Sequence, residues 1–326
     1  MITEPLLKVQ DLRVSFPSNN ALFQRPSSIQ AVSGVNFEVA RGHTLGLVGE
    51  SGCGKSTIGY AILRLVQASG RVMFSDVDLI SLSARDMRPM RRRIQVIFQD
   101  AMSSLDPRMT IGDLIAEALE IHNLHPGKAR KDRIRELLDL VGLPPRYAER
   151  YPHELSGGQA QRVAICRALA VEPELIICDE AVSALDVSIQ AQILNLLQQL
   201  QKRFGLSYIF ISHDLSVVRH ISDQIAVMYL GKIIEHGSRD ELFRNPAHPY
   251  TKALLSSIPV PDPSIELTRE KIVLQGDMPN PANPPSGCRF RTRCPVVIDQ
   301  CAQIEPQDIE ITPGHHVSCI RVPLNP

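Results

Sequence analysis

The chain has 326 residues, 44% of them hydrophobic, which is material for roughly two domains at ~150 residues each. Its 35 Lys and Arg balance 35 Asp and Glu, so it lacks the broad positive field expected of a nucleic-acid binder. No run of 18 or more apolar residues occurs, and Met1-Ile2-Thr3-Glu4-Pro5 leads into no apolar core, so neither a membrane span nor a secretory signal is expected and a cytosolic chain is.

Residues 1–98 read as strand-rich. Leu7 to Phe16 and Gln30 to Val39 alternate apolar and polar residues, the pattern of half-buried strands. Thr44 to Val48 is a short apolar strand that runs into a glycine-rich turn, and behind it Ile58, Ile62, Leu65 and Val66 recur at helical spacing. Arg88 and Arg91 to Arg93 form a basic cluster, read as the solvated entry to a strand at 94–98.

The turn carries the chemistry. Gly49, Glu50, Ser51, Gly52, Cys53, Gly54, Lys55, Ser56 and Thr57 fit G-x-x-x-x-G-K-[ST], between a strand and a helix as this motif requires. Glycines let backbone N–H groups curl round a phosphate, and the helix aims its positive end at the same anion. Lys55 neutralises the β- and γ-phosphates of a bound ATP, and Ser56 offers its hydroxyl to Mg²⁺.

From 100 to 155 the character is helical. Ile111 to Glu120 and Lys128 to Val141 have one apolar face each, punctuated by Pro126-Gly127 and Pro144-Pro145. Ser156 and Gln159 have capping-box spacing, so a helix is expected to start there and run to about Ala170. With Gly157 and Gly158 it makes a second nest of N–H donors suited to an anion. One loop already cradles the nucleotide, so this helix end is read as serving another chain's.

Leu175 to Cys178 and Tyr208 to Ile211 are near-continuous apolar runs, as parallel strands buried on both faces have, with an amphipathic helix from Ile189 to Phe204 between them. The βαβ alternation argues an α/β core. Asp179 and Glu180 stand at the end of the first run. Asp179 is read as a water-mediated Mg²⁺ partner and Glu180 as the base that accepts a proton from attacking water.

At this point the sequence resembles the ATP-binding subunits of ABC transporters. Leu155-Ser156-Gly157-Gly158-Gln159 is similar to that family's defining motif. The resemblance implies that Gln99 senses Mg²⁺ and the transmembrane partner, and that Ser183 to Asp186 cross between paired subunits. It also implies that His213 contacts the γ-phosphate and that Phe16 stacks on adenine. It further implies a P-loop core with a mixed or parallel sheet, an antiparallel β subdomain, a helical insertion and a small Cys-rich extension. The expected boundaries are 1–98 and 159–240 for the two parts of the nucleotide-binding core, 99–158 for the helical subdomain and 241–326 for the extension.

The tail narrows the match. Asn245 to Leu255, with Gly287-Cys288 and Arg293-Cys294-Pro295, resembles the oligopeptide, dipeptide and nickel importer branch, and within it the second of two ATPases. That implies a heterodimer with a homologous ATPase, two transmembrane permease subunits, an extracytoplasmic solute-binding protein, no nucleic acid, and a peripheral place on the cytoplasmic face of the membrane. A soluble ATPase of the same superfamily acting on nucleic acid or ribosomes is the alternative.

Cys288, Cys294, Cys301 and Cys319 are separated by 5, 6 and 17 residues, without the short C-x₂₋₄-C knuckles of structural zinc. Four thiolates at wider gaps suit an iron–sulfur cluster, with zinc or unligated thiols left open. The resemblance implies a [4Fe–4S] cluster.

Overall fold

The computed structural model describes residues 4–18, 27–259 and 271–322. Pro261, Pro263 and most of the stretch from Pro17 to Gln30 lie outside them. The chain divides into two compact units. The first comprises Met1–Leu6, Val39–His43 and Ser81–Ile211, and the second Leu7–Glu38, Thr44–Ile80 and Ser212–Pro326.

The alternating N-terminal segments form two long strands, β1 (Pro5–Ser18) and β2 (Ser27–Ala40). After the all-buried β3 (Thr44–Val48) come α1 (Lys55–Ile62), β4 (Ser69–Phe74) and β5 (Val77–Asp78). A four-stranded sheet has the order β2-β1-β4-β5, with β4 antiparallel to β1 and to β5. Helix α1 is shorter than its periodicity predicts. Arg64 turns left-handed at φ 52°, which ends the helix and leaves Leu65 half exposed.

Next come α2 (Ala84–Arg93), β6 (Ile94–Ile97), α3 (Ile111–Ile121), α4 (Lys128–Leu140) and α5 (Gly157–Ala170). The basic run Arg91 to Arg93 leads into β6 as expected, and it does so as the last turn of helix α2. Ser83 caps α2 by accepting from the Asp86 N–H at 3.2 Å, and Arg91 to Arg93 sit at the negative end of the helix dipole. Thr110 caps α3 in the same way through Asp113, and Ile111, Leu114, Ile115 and Leu119 form its buried stripe.

The first unit continues through β7 (Leu175–Asp179), α6 (Val187–Phe204) and β8 (Ser207–Ser212). Strands β6, β7 and β8 run parallel with β7 in the middle, in the register Ile97↔Cys178 and Asp179↔Ile211. Ile176, Ile177, Ile209 and Phe210 are fully buried, as both-face burial of a parallel strand requires.

The second unit resumes with α7 (Leu215–Ile221), β9 (Gln224–Tyr229), β10 (Lys232–Ser238), α8 (Arg239–Arg244) and α9 (Pro249–Ser256), and closes with β11 (Ile309–Thr312) and β12 (His315–Val317). Strand β3 lies parallel to β9, β10 pairs antiparallel with both β9 and β12, and β11 pairs with β12. The C-terminal segment is thus joined to the sheet through β12, while residues 271–298 remain mostly loop. Fully buried Glu235 of β10 ties the segment down. It accepts from the backbone N–H groups of Ala247 (2.7 Å) and His248 (2.9 Å) and bonds His315 Nε2 (2.8 Å).

Candidate nucleotide site

In the second unit, residues 49–54 form a loop between β3 and α1, and Lys55, Ser56 and Thr57 open the helix. Gly54 is the N-cap residue of α1 at φ 107°, and a Cβ there would sit 2.2 Å from the Ala31 carbonyl oxygen. A Cβ on Gly49 would be equally close to the Met228 carbonyl oxygen. The glycines are demanded by close backbone approach as well as by any ligand. The Cys53 carbonyl accepts from the Gly231 N–H at 2.8 Å, and the Gly231 carbonyl from Ser33 N–H at 2.8 Å, so the loop is pinned from behind.

Lys55 is buried, and its Nζ donates to the carbonyls of Gly49 (2.8 Å) and Glu50 (3.0 Å). The cation is held inside the curl of the loop. The Cys53 thiol, 3.9 Å from that Nζ, is pushed up by burial and stays protonated. Ser51 and Gly52 are exposed, while Ser56 and Thr57 are half-buried on the first turn of α1. Phe16 lies on β1 and keeps 38% of its surface exposed, and His213 follows β8 directly and is exposed.

In the first unit, the parallel register sets Gln99, two residues past Ile97, level with Glu180, two past Cys178. The Gln99 amide donates to Glu180 Oε2 at 3.1 Å. Asp179 ends β7 and is buried. Glu180 departs from the strand in a left-handed conformation at φ 48°, with its N–H on the Ile211 carbonyl at 3.0 Å and its own carbonyl accepting from Ser183. This is a costly backbone conformation for a residue other than glycine.

Ser156 caps α5 as its spacing predicts. It takes the Gln159 N–H on its hydroxyl at 3.4 Å, and the Gln159 side chain accepts from the Ser156 N–H at 3.0 Å. Gln159 also donates to Tyr147 Oη at 3.2 Å. Its side chain is committed within the chain, and the N–H groups of Gly157 and Gly158 lie in the first turn of α5, where the helix itself offers them no acceptor. Asp186 is the N-cap residue of α6, but its carboxylate makes no cap bond and is exposed.

The tail cysteines are free thiols, Cys288 and Cys294 half-buried and Cys301 and Cys319 buried. The Cys288 N–H donates to the Cys301 carbonyl at 2.8 Å. Burial first, and then the other three thiols, push Cys288 up to about 11. No three of the thiols lie within 4.8 Å of one another. Among the described residues that spacing belongs to His236, Asp308 and His316, whose two rings stack at 4.4 Å.

Two contacts to the loop have no signal in local sequence. Tyr250 Oη accepts the Glu50 N–H at 3.0 Å, and Arg293 Nη1 donates to both carboxylate oxygens of Glu50 at 2.9 Å. Some 200 and 243 positions separate the partners, beyond the reach of any motif.

The sequence pattern of the family described as ABC transporter matches residues 32–183, and that of the oligopeptide/dipeptide transporter C-terminal region matches residues 234–301. The oligopeptide transport ATP-binding protein OppF of Salmonella typhimurium is 53% identical over 324 residues, covering 97% of this chain and 96% of that protein. The oligopeptide transport ATP-binding protein AppF of Bacillus subtilis is 51% identical over 319 residues, 97% of each chain. Among solved structures, the dimeric ATP-binding cassette MJ0796 bound to ADP and Pi aligns at a TM-score of 0.64 and 28% identity, covering 72% of this chain and 98% of that one. The cbiO1 protein of Clostridium perfringens, part of the ABC transporter complex cbiONQ, aligns at the same score and identity over 74% and 91%. With its phosphate loop, its strand-end carboxylates and identity to such relatives over nearly its whole length, this chain belongs to the ABC transporter ATP-binding family and is an ATPase.

Proposed function

We propose that the chain is the ATP-hydrolysing subunit of an importer for di- and oligopeptides, acting in a heterodimer with a second homologous ATPase beside two transmembrane permease subunits and an extracytoplasmic solute-binding protein. The names of its relatives and the match of its tail to the oligopeptide/dipeptide transporter region support the cargo. Among the described residues no helix is long and apolar enough to cross a membrane, so its place is peripheral, held at the cytoplasmic face by the permeases.

In this reading Gly49 to Thr57 wrap the triphosphate, Lys55 neutralises it and Phe16 stacks on adenine. Ser56 and Gln99 would hold Mg²⁺ with Asp179 as its outer partner, and the bound metal would supply neutralisation of charge on the phosphoryl oxygens. Glu180 takes a proton from the attacking water, and His213 stabilises charge on the transferring phosphoryl group. Ser156, Gly157 and Gly158 clamp the nucleotide of the opposing subunit, Gln159 orients them, and Asp186 faces the dimer partner. Closing that dimer on ATP biases the helical subdomain and the permease helix seated on it.

The observation that carries the chemistry is the Gln99–Glu180 pair: a carboxylate turned out of its strand and oriented by an amide. Glu180→Gln in the membrane-purified complex is expected to keep Mg·ATP binding and lose ~10²–10⁴-fold of turnover. Unchanged hydrolysis would remove Glu180 from the base role. Detergent copurification with two membrane subunits supports the transporter, and copurification with nucleic acid in their place supports the soluble alternative.

Cys288, Cys294, Cys301 and Cys319 are proposed to hold a [4Fe–4S] cluster that staples the tail. A single tetrahedral zinc at ~2.3 Å from each sulfur needs thiols ~3.8 Å apart. These are wider, yet near enough to raise one another's pKa. Iron and sulfide analysis after anaerobic purification tests this, and iron-free, zinc-loaded protein refutes it.

A further inference from the structure

The cysteine-bearing segment grips the phosphate loop. Arg293 stands one residue before Cys294, its side chain only 10% exposed, and makes two bonds to Glu50, itself 31% exposed. Its guanidinium also lies 6.0 Å from the centre of the Tyr229 ring. Tyr229, Tyr250 and Phe290 pack edge to face at 4.9–5.4 Å, fully buried, and form a rigid floor under this contact. From that floor Tyr250 Oη takes the Glu50 N–H.

Glu50 is the awkward member of the loop. It places a carboxylate in a segment whose task is to attract an anion, where its charge repels a triphosphate. Fixing the Glu50 N–H on Tyr250 also settles the orientation of the peptide between Gly49 and Glu50, whose carbonyl, on Gly49, receives Lys55 Nζ.

We propose that Arg293 and Tyr250 are positioning residues for ATP binding: Arg293 cancels the charge of Glu50 and Tyr250 sets the loop peptide, so the C-terminal segment tunes the affinity of the phosphate loop. The inference rests on residues 49–57 being the nucleotide loop. It gives that segment a task in the nucleotide cycle beyond docking into the sheet.

The test is a double-mutant cycle read by calorimetric titration of the purified full-length chain with Mg·ATP. Arg293→Met is expected to raise the Kd about tenfold, because a half-buried carboxylate is left uncancelled beside the triphosphate. Arg293→Lys is expected to fall between wild type and Met. Adding Glu50→Gln to Arg293→Met removes the repelling charge and is expected to bring the Kd back to within about threefold of wild type, a rescue that loss of general packing would not give. Tyr250→Phe, which deletes only the acceptor oxygen, is expected to weaken binding without moving the melting temperature by more than a few degrees, and it serves with Arg293→Lys if the Met variant does not fold. Wild-type affinity in Arg293→Met and Tyr250→Phe overturns the proposal, as does a defect in Arg293→Met that Glu50→Gln leaves untouched. Lys55→Ala is the separate control: if it binds Mg·ATP as wild type, the assignment of the loop itself has failed.

Discussion

Mild acid should unfasten helix α9, and His248 is the reason. His248 is the N-cap residue of α9. Its Nδ1 accepts the Tyr250 N–H at 3.0 Å, so the ring must be neutral with its proton on Nε2. It is 1% exposed and packs against Phe290 at 5.5 Å. Burial lowers its pKa from 6.5 to about 4, against the opposing pull of the Glu235 carboxylate and with a smaller push from Lys252. The folded state therefore binds fewer protons than the unfolded state in this window, and stability rises with pH. The contribution is complete above pH 6.5 and is lost progressively as pH falls towards about 4. At ~1.4 kcal/mol per pKa unit, the loss is about 3 kcal/mol. The assay is denaturant unfolding at half-unit steps from pH 7.5 to 4.5, comparing wild type with His248→Asn, whose amide oxygen can take the same N–H but cannot titrate. Because the carboxylates titrate in both proteins, their difference isolates the imidazole. The two curves should diverge by about 3 kcal/mol across that range. Parallel curves would refute the argument that burial holds this ring neutral.

Other outcomes follow from the same contacts. Glu235→Leu removes the acceptor of two backbone N–H groups and of His315, and should cost about 3 kcal/mol or more of unfolding free energy. Gly54→Ala should abolish Mg·ATP binding in the same titration, since its Cβ meets the Ala31 carbonyl at 2.2 Å at a φ disfavoured for side chains. Ser156→Ala deletes the cap of α5 and should destabilise the first unit by about 1 kcal/mol in thermal unfolding, with Ser156→Asn nearly neutral.

The sequence by itself determined whatever depends on neighbours along the chain. The phosphate loop and the capping box of α5 were legible because each is one turn of backbone whose hydrogen bonds close within a few residues. The buried strands β7 and β8 were legible because both-face burial demands an unbroken apolar run. The basic run 91–93 marked the entry to β6 but not its own helical form, because charge reports exposure and not backbone shape, and helix α2 is decided by Ser83 and Asp86 at its other end. Only the tertiary structure decided the rest. Parallel register brings Gln99 to Glu180, and β12 pairing with β10 joins a proline-rich tail to the sheet. Glu180 leaves its strand in a left-handed conformation, and Arg293 reaches Glu50 across 243 positions. Such contacts depend on how two distant segments fill one space, and no local propensity encodes that. The chemical parts of this ATPase are therefore written in short motifs, while their mutual orientation exists only once the chain has folded.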